Sequence, residues 1–127
     1  MNGMLEYGLV LAASVVGALL RHGTVLLTAK FAFPLGVLIV NAAGSLLGGV
    51  AIGASWALPA GWTIVILTGF CGALTTFSTF SVDTVRLALG GRLGTAIWNV
   101  VSNLALGVGC AAFGAAIGLT AVGALGA

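Results

Sequence analysis

The chain reads as long, uninterrupted apolar runs separated by very short polar or turn-forming connections. Four runs stand out: roughly Met4 to Ala29, Leu35 to Trp56, Trp62 to Leu89, and Leu93 to Ala124. Lys30 to Pro34, Ala57 to Gly61 (with Pro59 inside it) and Gly90 to Arg92 join them. A helix crossing the ~30 Å hydrocarbon core needs about 20 apolar residues, and every run reaches that length. Nowhere do apolar and polar residues alternate with the period of two that a membrane β-barrel requires. The pattern predicts an all-α membrane fold, a single domain over residues 1–127 made of four antiparallel transmembrane helices. Trp56, Trp62 and Tyr7 fall near predicted helix ends, where amphipathic rings favour the bilayer interface.

The third run breaks its own pattern. Its middle reads GFCGALTTFSTFS, Gly69 to Ser81. Gly69 and Gly72 lower helix propensity in mid-span, and Thr75 and Thr76 follow at once. Broken backbone at membrane depth is tolerated only when buried in protein or lining a cavity, so a break here predicts one or the other. Freed carbonyls at such a break make a cage for a small cation. Where the helix resumes, Phe77 and Phe80 share one face by their i,i+3 spacing, and Ser78 and Ser81 share another, with Thr79 between. A phenyl ring is positive at its edge. Two ring edges would hold a small anion without trapping it; the plainer reading is that both rings face lipid or core.

Other polar residues inside the runs are costly and point to function. Arg21, in GALLRHG, is either a side chain snorkelling to headgroups or a fixed positive charge in a vestibule; His22 is read as interfacial. Asn41, in VNAAGSLLGG, carries two donors and an acceptor that lipid cannot satisfy. It serves either a helix-to-helix hydrogen bond or an anion. In the fourth run Asn99, Ser102 and Asn103 surround Trp98. Ser102 either continues a polar track or bonds back to its own helix.

Composition sharpens the class. Sixty-one per cent of residues are hydrophobic and 5% charged, with a mean hydropathy of +1.27. The charges are Glu6, Arg21, Lys30, Asp83, Arg86 and Arg92, far below the roughly one quarter of a soluble domain. The 21 glycines suit helices that pack closely in lipid, with small-xxx-small pairs at Gly44 and Gly48, Gly49 and Gly53, and Gly114 and Gly118. Cys71 and Cys110 read as small buried hydrophobes. No positively charged leader precedes the first run, so that run is expected to be retained as a helix. A net charge of +2 is too small and too dispersed along the chain to suggest a nucleic-acid partner, and none is expected. A lone histidine and no acid–base pair within reach exclude an enzyme. Lys30, Arg86 and Arg92 bias the first and third connections towards the cytoplasm, which by itself sets both termini outside. Four thin, glycine-rich helices enclose a pathway poorly, so a second subunit is expected.

Taken in order, GALLRHG, VNAAGSLLGG and GFCGALTTFSTFS resemble the Fluc (CrcB) fluoride channels, and the likeness runs over the whole chain. The resemblance implies a third helix broken mid-membrane and assembly as an antiparallel, dual-topology dimer. It also implies two pores at the dimer interface that let fluoride leave the cell passively, and location in the cell (inner) membrane as a multi-pass protein. The partner it implies is a second copy, with a paralogous heterodimer as the variant. By position, Phe77 and Phe80 are similar to the ring-edge phenylalanines, Asn41 to the pore asparagine, Arg21 to the first-helix arginine, and Ser78 and Thr79 to the hydroxyl track. Gly72 and Thr75 match positions whose backbone carbonyls hold a structural Na⁺ between subunits. One departure stands out. The family commonly has a tyrosine followed four residues later by serine, whereas Trp98 and Ser102 align here, and indole is a donor only. The competing classes are a small multidrug-type proton-coupled antiporter, which needs a mid-membrane carboxylate that this chain lacks, and a non-conducting assembly subunit, which needs no aligned polar groups.

Overall fold

The computed structural model describes residues 3–125. In chain order the elements are α1 (Gly3–Thr28), α2 (Leu35–Gly53), α3 (Trp62–Ile64), a π-helical stretch (Val65–Cys71), α4 (Gly72–Leu74), α5 (Phe77–Leu89) and α6 (Leu93–Leu125). Trp62 to Leu89 forms one interrupted span, and with α1, α2 and α6 it makes four helices long and apolar enough to cross a membrane. No strand occurs among the described residues.

The second span is shorter than its apolar run. α2 stops at Gly53, not at Trp56, and the chain then turns, with the Ala54 N–H donating to the Val50 carbonyl and the Leu58 N–H to the Ala54 carbonyl. Its 19 residues already rise about 28 Å at 1.5 Å each, enough for the hydrocarbon core. Trp56 is therefore an exposed residue of the connection. Gly61 and Gly91, with φ of 87° and 75°, make the turns into α3 and α6 in a left-handed conformation that only glycine adopts without strain. At the Gly91 end of the bundle, Arg92 Nη1 donates to the Ala32 carbonyl at 3.0 Å, joining the first connection to the third.

Glycines decide which helices touch. α2 and α6 form the most extensive interface. There Gly49 faces the Ala111 carbonyl, Gly53 the Ala115 carbonyl, Gly114 the Leu46 carbonyl and Gly118 the Val50 carbonyl, each so closely that no Cβ fits. With lipid as solvent no hydrophobic force pushes these helices together, so contact rests on close van der Waals packing. α1 lies against the π-helical stretch in the same manner: Gly17 faces the Phe70 carbonyl, and Ser14 Oγ donates to Val10 O at 2.8 Å and Gly69 O at 3.2 Å. Gly44 of α2 leaves room for the Thr75 methyl. The closely packed interior is small, with Val37, Val40, Ala51, Val65, Leu74 and Ala96 at its centre; most large apolar side chains point outward, as a bilayer allows.

A methyl group added in the glycine seam should force the helices apart. Gly114→Ala is expected to lower stability by about 1–3 kcal/mol, the usual penalty of overpacking. Gly8→Ala, where nothing lies within 4 Å, should leave it unchanged or slightly improved. Tryptophan fluorescence during thermal unfolding in detergent distinguishes the two.

Candidate functional site at the helix break

The break falls at Thr75 and Thr76, three residues beyond the glycine that propensity singles out. Gly72 itself is helical, at φ −63° and ψ −34°. Thr75 turns extended at φ −79° and ψ 159°, and Thr76 at φ −150° and ψ 116°. The last ladder bond of the upper half runs from the Thr75 N–H to Cys71 O at 3.0 Å. In a continuous helix the Thr76 N–H would then donate to Gly72 O, and the Thr79 N–H to Thr75 O. Neither does. The Thr76 N–H donates to Asn41 Oδ1 at 2.8 Å, and the Thr79 N–H donates to Thr76 Oγ1 at 3.2 Å. Thr76 is therefore the N-cap of α5, a position that favours threonine because its side-chain oxygen takes an orphan N–H.

Asn41 pairs with the whole peptide edge of Thr76. Besides accepting the Thr76 N–H, it donates from Nδ2 to Thr76 O at 3.3 Å. Its other amide hydrogen reaches Asn103 Oδ1 at 3.1 Å. A carboxamide is the one short side chain that both donates and accepts in this way. Of the two roles open to Asn41, the helix-to-helix hydrogen bond is the one its atoms perform here.

In front of the break lies a cleft of about 270 Å³ lined by Arg21, His22, Val25, Thr76, Ser78 and Thr79. Arg21 Nη1 donates to Thr75 O at 3.4 Å, so its guanidinium turns inward to the break and does not reach away to headgroups. The Thr76 hydroxyl donates to Thr79 Oγ1 at 3.0 Å and lies 3.3 Å from Ser78 Oγ. With the one Thr76 hydrogen given to Thr79, the Ser78 hydroxyl is the donor of the second contact, and Thr79 keeps its own hydroxyl hydrogen for a ligand. The cleft lies at the N-terminus of α5, and a helix N-terminus carries partial positive charge. No carboxylate lines the cleft. The cleft thus combines one fixed cation, a neutral hydroxyl donor and a helix start, groups whose chemistry suits an anion.

The remaining predicted residues distribute around it. Phe77 and Phe80 adjoin one another with ring centroids 5.7 Å apart and planes tilted by 47°. Phe77 is 80% exposed, outside the packing of the single chain, while Phe80 is half-buried. Ser81 Oγ bonds back to Phe77 O at 2.8 Å. Ser102 does likewise, to Trp98 O at 2.7 Å and Asn99 O at 3.3 Å, so in this chain its hydroxyl is held by its own helix. Trp98 is exposed. Thr76, the centre of the arrangement, was not singled out as a site residue, although a threonine just before a resumed apolar helix is an N-cap signal. His22, read as interfacial, lines the cleft. Among the described residues no group of three or more His, Cys, Asp or Glu side chains gathers to hold a metal.

Comparison with known proteins agrees over most of the chain. A family model described as CrcB-like protein, Camphor Resistance (CrcB), matches residues 8–115. A Nocardia farcinica protein named fluoride-specific ion channel FluC 1 is 45% identical over 116 residues, 88% of this chain and 78% of its own. The Natronomonas pharaonis protein named fluoride-specific ion channel FluC 2 is 43% identical over 108 residues, 84% and 89% of the two chains. One from Frankia casuarinae, named fluoride-specific ion channel FluC 1, is 40% identical over 119 residues, 86% and 92%. The chain therefore belongs to the Fluc (CrcB) family of membrane proteins.

Proposed function

We propose that this protein is a passive, fluoride-selective channel of the cell membrane that lets fluoride leave the cell. The observation that carries this reading is the cleft at the break, where Arg21 and the free hydroxyl of Thr79 meet the N-terminus of α5, in the same turn that carries Phe77 and Phe80. Relatives named as fluoride-specific ion channels support it. Fluoride is small and strongly hydrated, so a path for it must replace water with hydrogen-bond donors. Neutral hydroxyls and positive ring edges do so weakly enough for release, while Arg21 raises the local anion concentration at the mouth. No bond is made or broken, so no catalytic residue is needed.

Two antiparallel copies would complete the pathway. Phe77 projects from the single chain, and Gly72 is exposed, so one copy supplies only part of each wall. In the dimer each of two pores would draw on both subunits, with a paralogue as the alternative partner. The same break fits the structural Na⁺ of this reading. Gly72 O lacks its helical donor because Thr76 N–H is bonded to Asn41, and Thr75 O lacks its own because Thr79 N–H is bonded to Thr76 Oγ1. Each chain would give two hard carbonyl oxygens, the ligand type small cations take at unwound helices. Arg21 occupies one lone pair of the Thr75 oxygen and leaves the other. When bound, the ion supplies a buried positive charge that offsets part of an anion's desolvation. Proton-coupled antiport is disfavoured by the placement of carboxylates: Glu6 sits in the first turn of α1, and Asp83 lines a cavity at the far end of α5 with Arg86 and Arg92.

Fluoride-electrode recordings from liposomes holding the purified protein should show fluoride efflux with little chloride efflux; equal rates for both anions would end the selective-channel reading. Phe80→Ile should slow fluoride efflux by about tenfold, the kinetic equivalent of one aromatic-edge contact of up to ~1.5 kcal/mol, while leaving the dimer intact on size exclusion. Arg21→Gln should slow efflux by a few-fold at low salt and by less at about 0.5 M, because screening weakens the attraction of an exposed mouth. Replacing Na⁺ throughout by a larger monovalent cation should weaken dimerisation measured by cross-linking, with no effect expected on α-helix content.

A further inference from the structure

Asn41 is the near end of a hydrogen-bonded chain that leaves the break, crosses two helices and returns to the same span. Asn41 Nδ2 donates to Asn103 Oδ1 at 3.1 Å. Asn103 Nδ2 donates to Asn99 Oδ1 at 3.1 Å and to Asn99 O at 3.0 Å. Asn99 Nδ2 donates to Thr84 Oγ1 at 2.9 Å, and the Thr84 hydroxyl donates to Phe80 O at 2.7 Å. Asn99 is completely buried, and no buried side-chain nitrogen or oxygen among the described residues lacks a partner. Every donor in the series points the same way.

We propose that Asn103 and Asn99 are positioning residues that hold the Asn41 amide in the orientation the break requires, and through it the geometry of the break at Thr76. The anchor is Asn99 O, a backbone carbonyl that accepts only and cannot rotate within its helix. Because Asn103 Nδ2 must face that carbonyl and Asn99 Oδ1, its oxygen must face Asn41. Asn41 then presents nitrogen to Asn103 and oxygen to the Thr76 N–H. Turning over the Asn41 or Asn103 amide would set donor against donor at one end and acceptor against acceptor at the other, leaving part-buried groups unsatisfied. The Thr76 N–H and C=O demand the same polarity of Asn41, so the Asn99 anchor and the break agree, and Asn103 holds the Asn41 amide from its far side. The series also clasps α5 at Thr76 and at Thr84, two turns apart, with Phe77 and Phe80 between. Neither Asn99 nor Asn103 lines the anion cleft; both act through Asn41.

The effect on conduction rests on the fluoride pathway proposed above, whereas the effect on the break does not, so two readouts separate them. Residue-resolved amide hydrogen exchange on the purified full chain in micelles reads the break. Asn103→Leu should speed exchange of the Thr76 amide about tenfold, as a lost buried hydrogen bond predicts, with little change at Gly49 and Gly114 in the glycine seam. Thr84→Val, a nearly isosteric loss of the last link, should act in the same direction by roughly two- to threefold and decides the matter should Asn103→Leu not fold. Fluoride efflux in liposomes should fall in parallel with the exchange change. An unaltered Thr76 amide in either folded variant overturns the proposal, as does acceleration spread evenly along the seam, which would mark plain loss of packing. A wild-type chain that carries no fluoride but shows the expected exchange pattern would overturn the channel and leave the positioning role in place.

Discussion

Everything distinctive in this molecule follows from a constraint of its solvent: at membrane depth no water is present to take up a backbone N–H or C=O left without a partner. An unbroken helix meets the constraint by itself. A helix interrupted at Thr75 and Thr76 does not, and the groups that the interruption releases must be met by something else in the protein. The Asn41 carboxamide meets the N–H and C=O of Thr76, the Thr76 side chain meets the Thr79 N–H, and Arg21 meets the Thr75 carbonyl. Each of these side chains would be a liability in an ordinary span. Together they make the break a stable feature, and the close α2–α6 seam permitted by Gly49, Gly53, Gly114 and Gly118 brings Asn41 and Asn103 near enough to share a hydrogen bond.

A break of this kind has two chemically opposite ends. The upper half ends in carbonyls, Gly72 and Thr75 among them, that have lost their helical donors. The lower half begins in amides and carries the partial positive charge of a helix start. One interruption therefore offers acceptors suited to a cation and donors suited to an anion within a few residues, with no acidic side chain. That economy accords with a chain that has only two carboxylates and four basic residues in all. It also explains how a thin bundle can serve ions at all without burying several charges, each expensive at that depth.

Four spans, their order and the short connections are legible in the sequence because continuous apolar runs of membrane length admit few other readings. The limits of α2 were less legible. Ala54, Ser55 and Trp56 continue the run in composition, yet the chain has crossed the core by Gly53, and hydropathy does not register a turn made of apolar residues. The break was legible in kind but not in place. Gly69 and Gly72 drew attention by helix propensity, which counts for little inside a bilayer. Gly69 lies in the π-helical stretch, where its lack of a side chain lets α1 approach, the Val10 carbonyl standing 2.9 Å from where a Cβ would be. The true position is set by a residue 35 places away, Asn41, whose pairing with Thr76 is tertiary information. For the same reason Asn41 and Asn103 could each be recognised as costly polar residues while their mutual bond could not.

The hydroxyl groups show why the site lies where it does. In the middle of a helix a serine or threonine hydroxyl has a carbonyl four residues back within reach and donates to it. Ser14, Thr24, Thr28, Ser81, Thr84, Ser102 and Thr120 all do so. Their hydrogens are then turned into the helix, and such residues are polar in name but nearly inert towards an ion. Ser78 and Thr79 are different because the residues four before them, Leu74 and Thr75, lie on the other side of the break, where the helical register no longer delivers a carbonyl. Ser78 then turns to the Thr76 oxygen, and the Thr79 hydroxyl is one of the few neutral groups at that depth with a hydrogen left to donate. The interruption liberates side-chain donors as well as backbone ones. A run of Ser and Thr reads the same in sequence whether or not its hydrogens are free; only the position of the helix start separates Thr79 from Ser81 and Ser102.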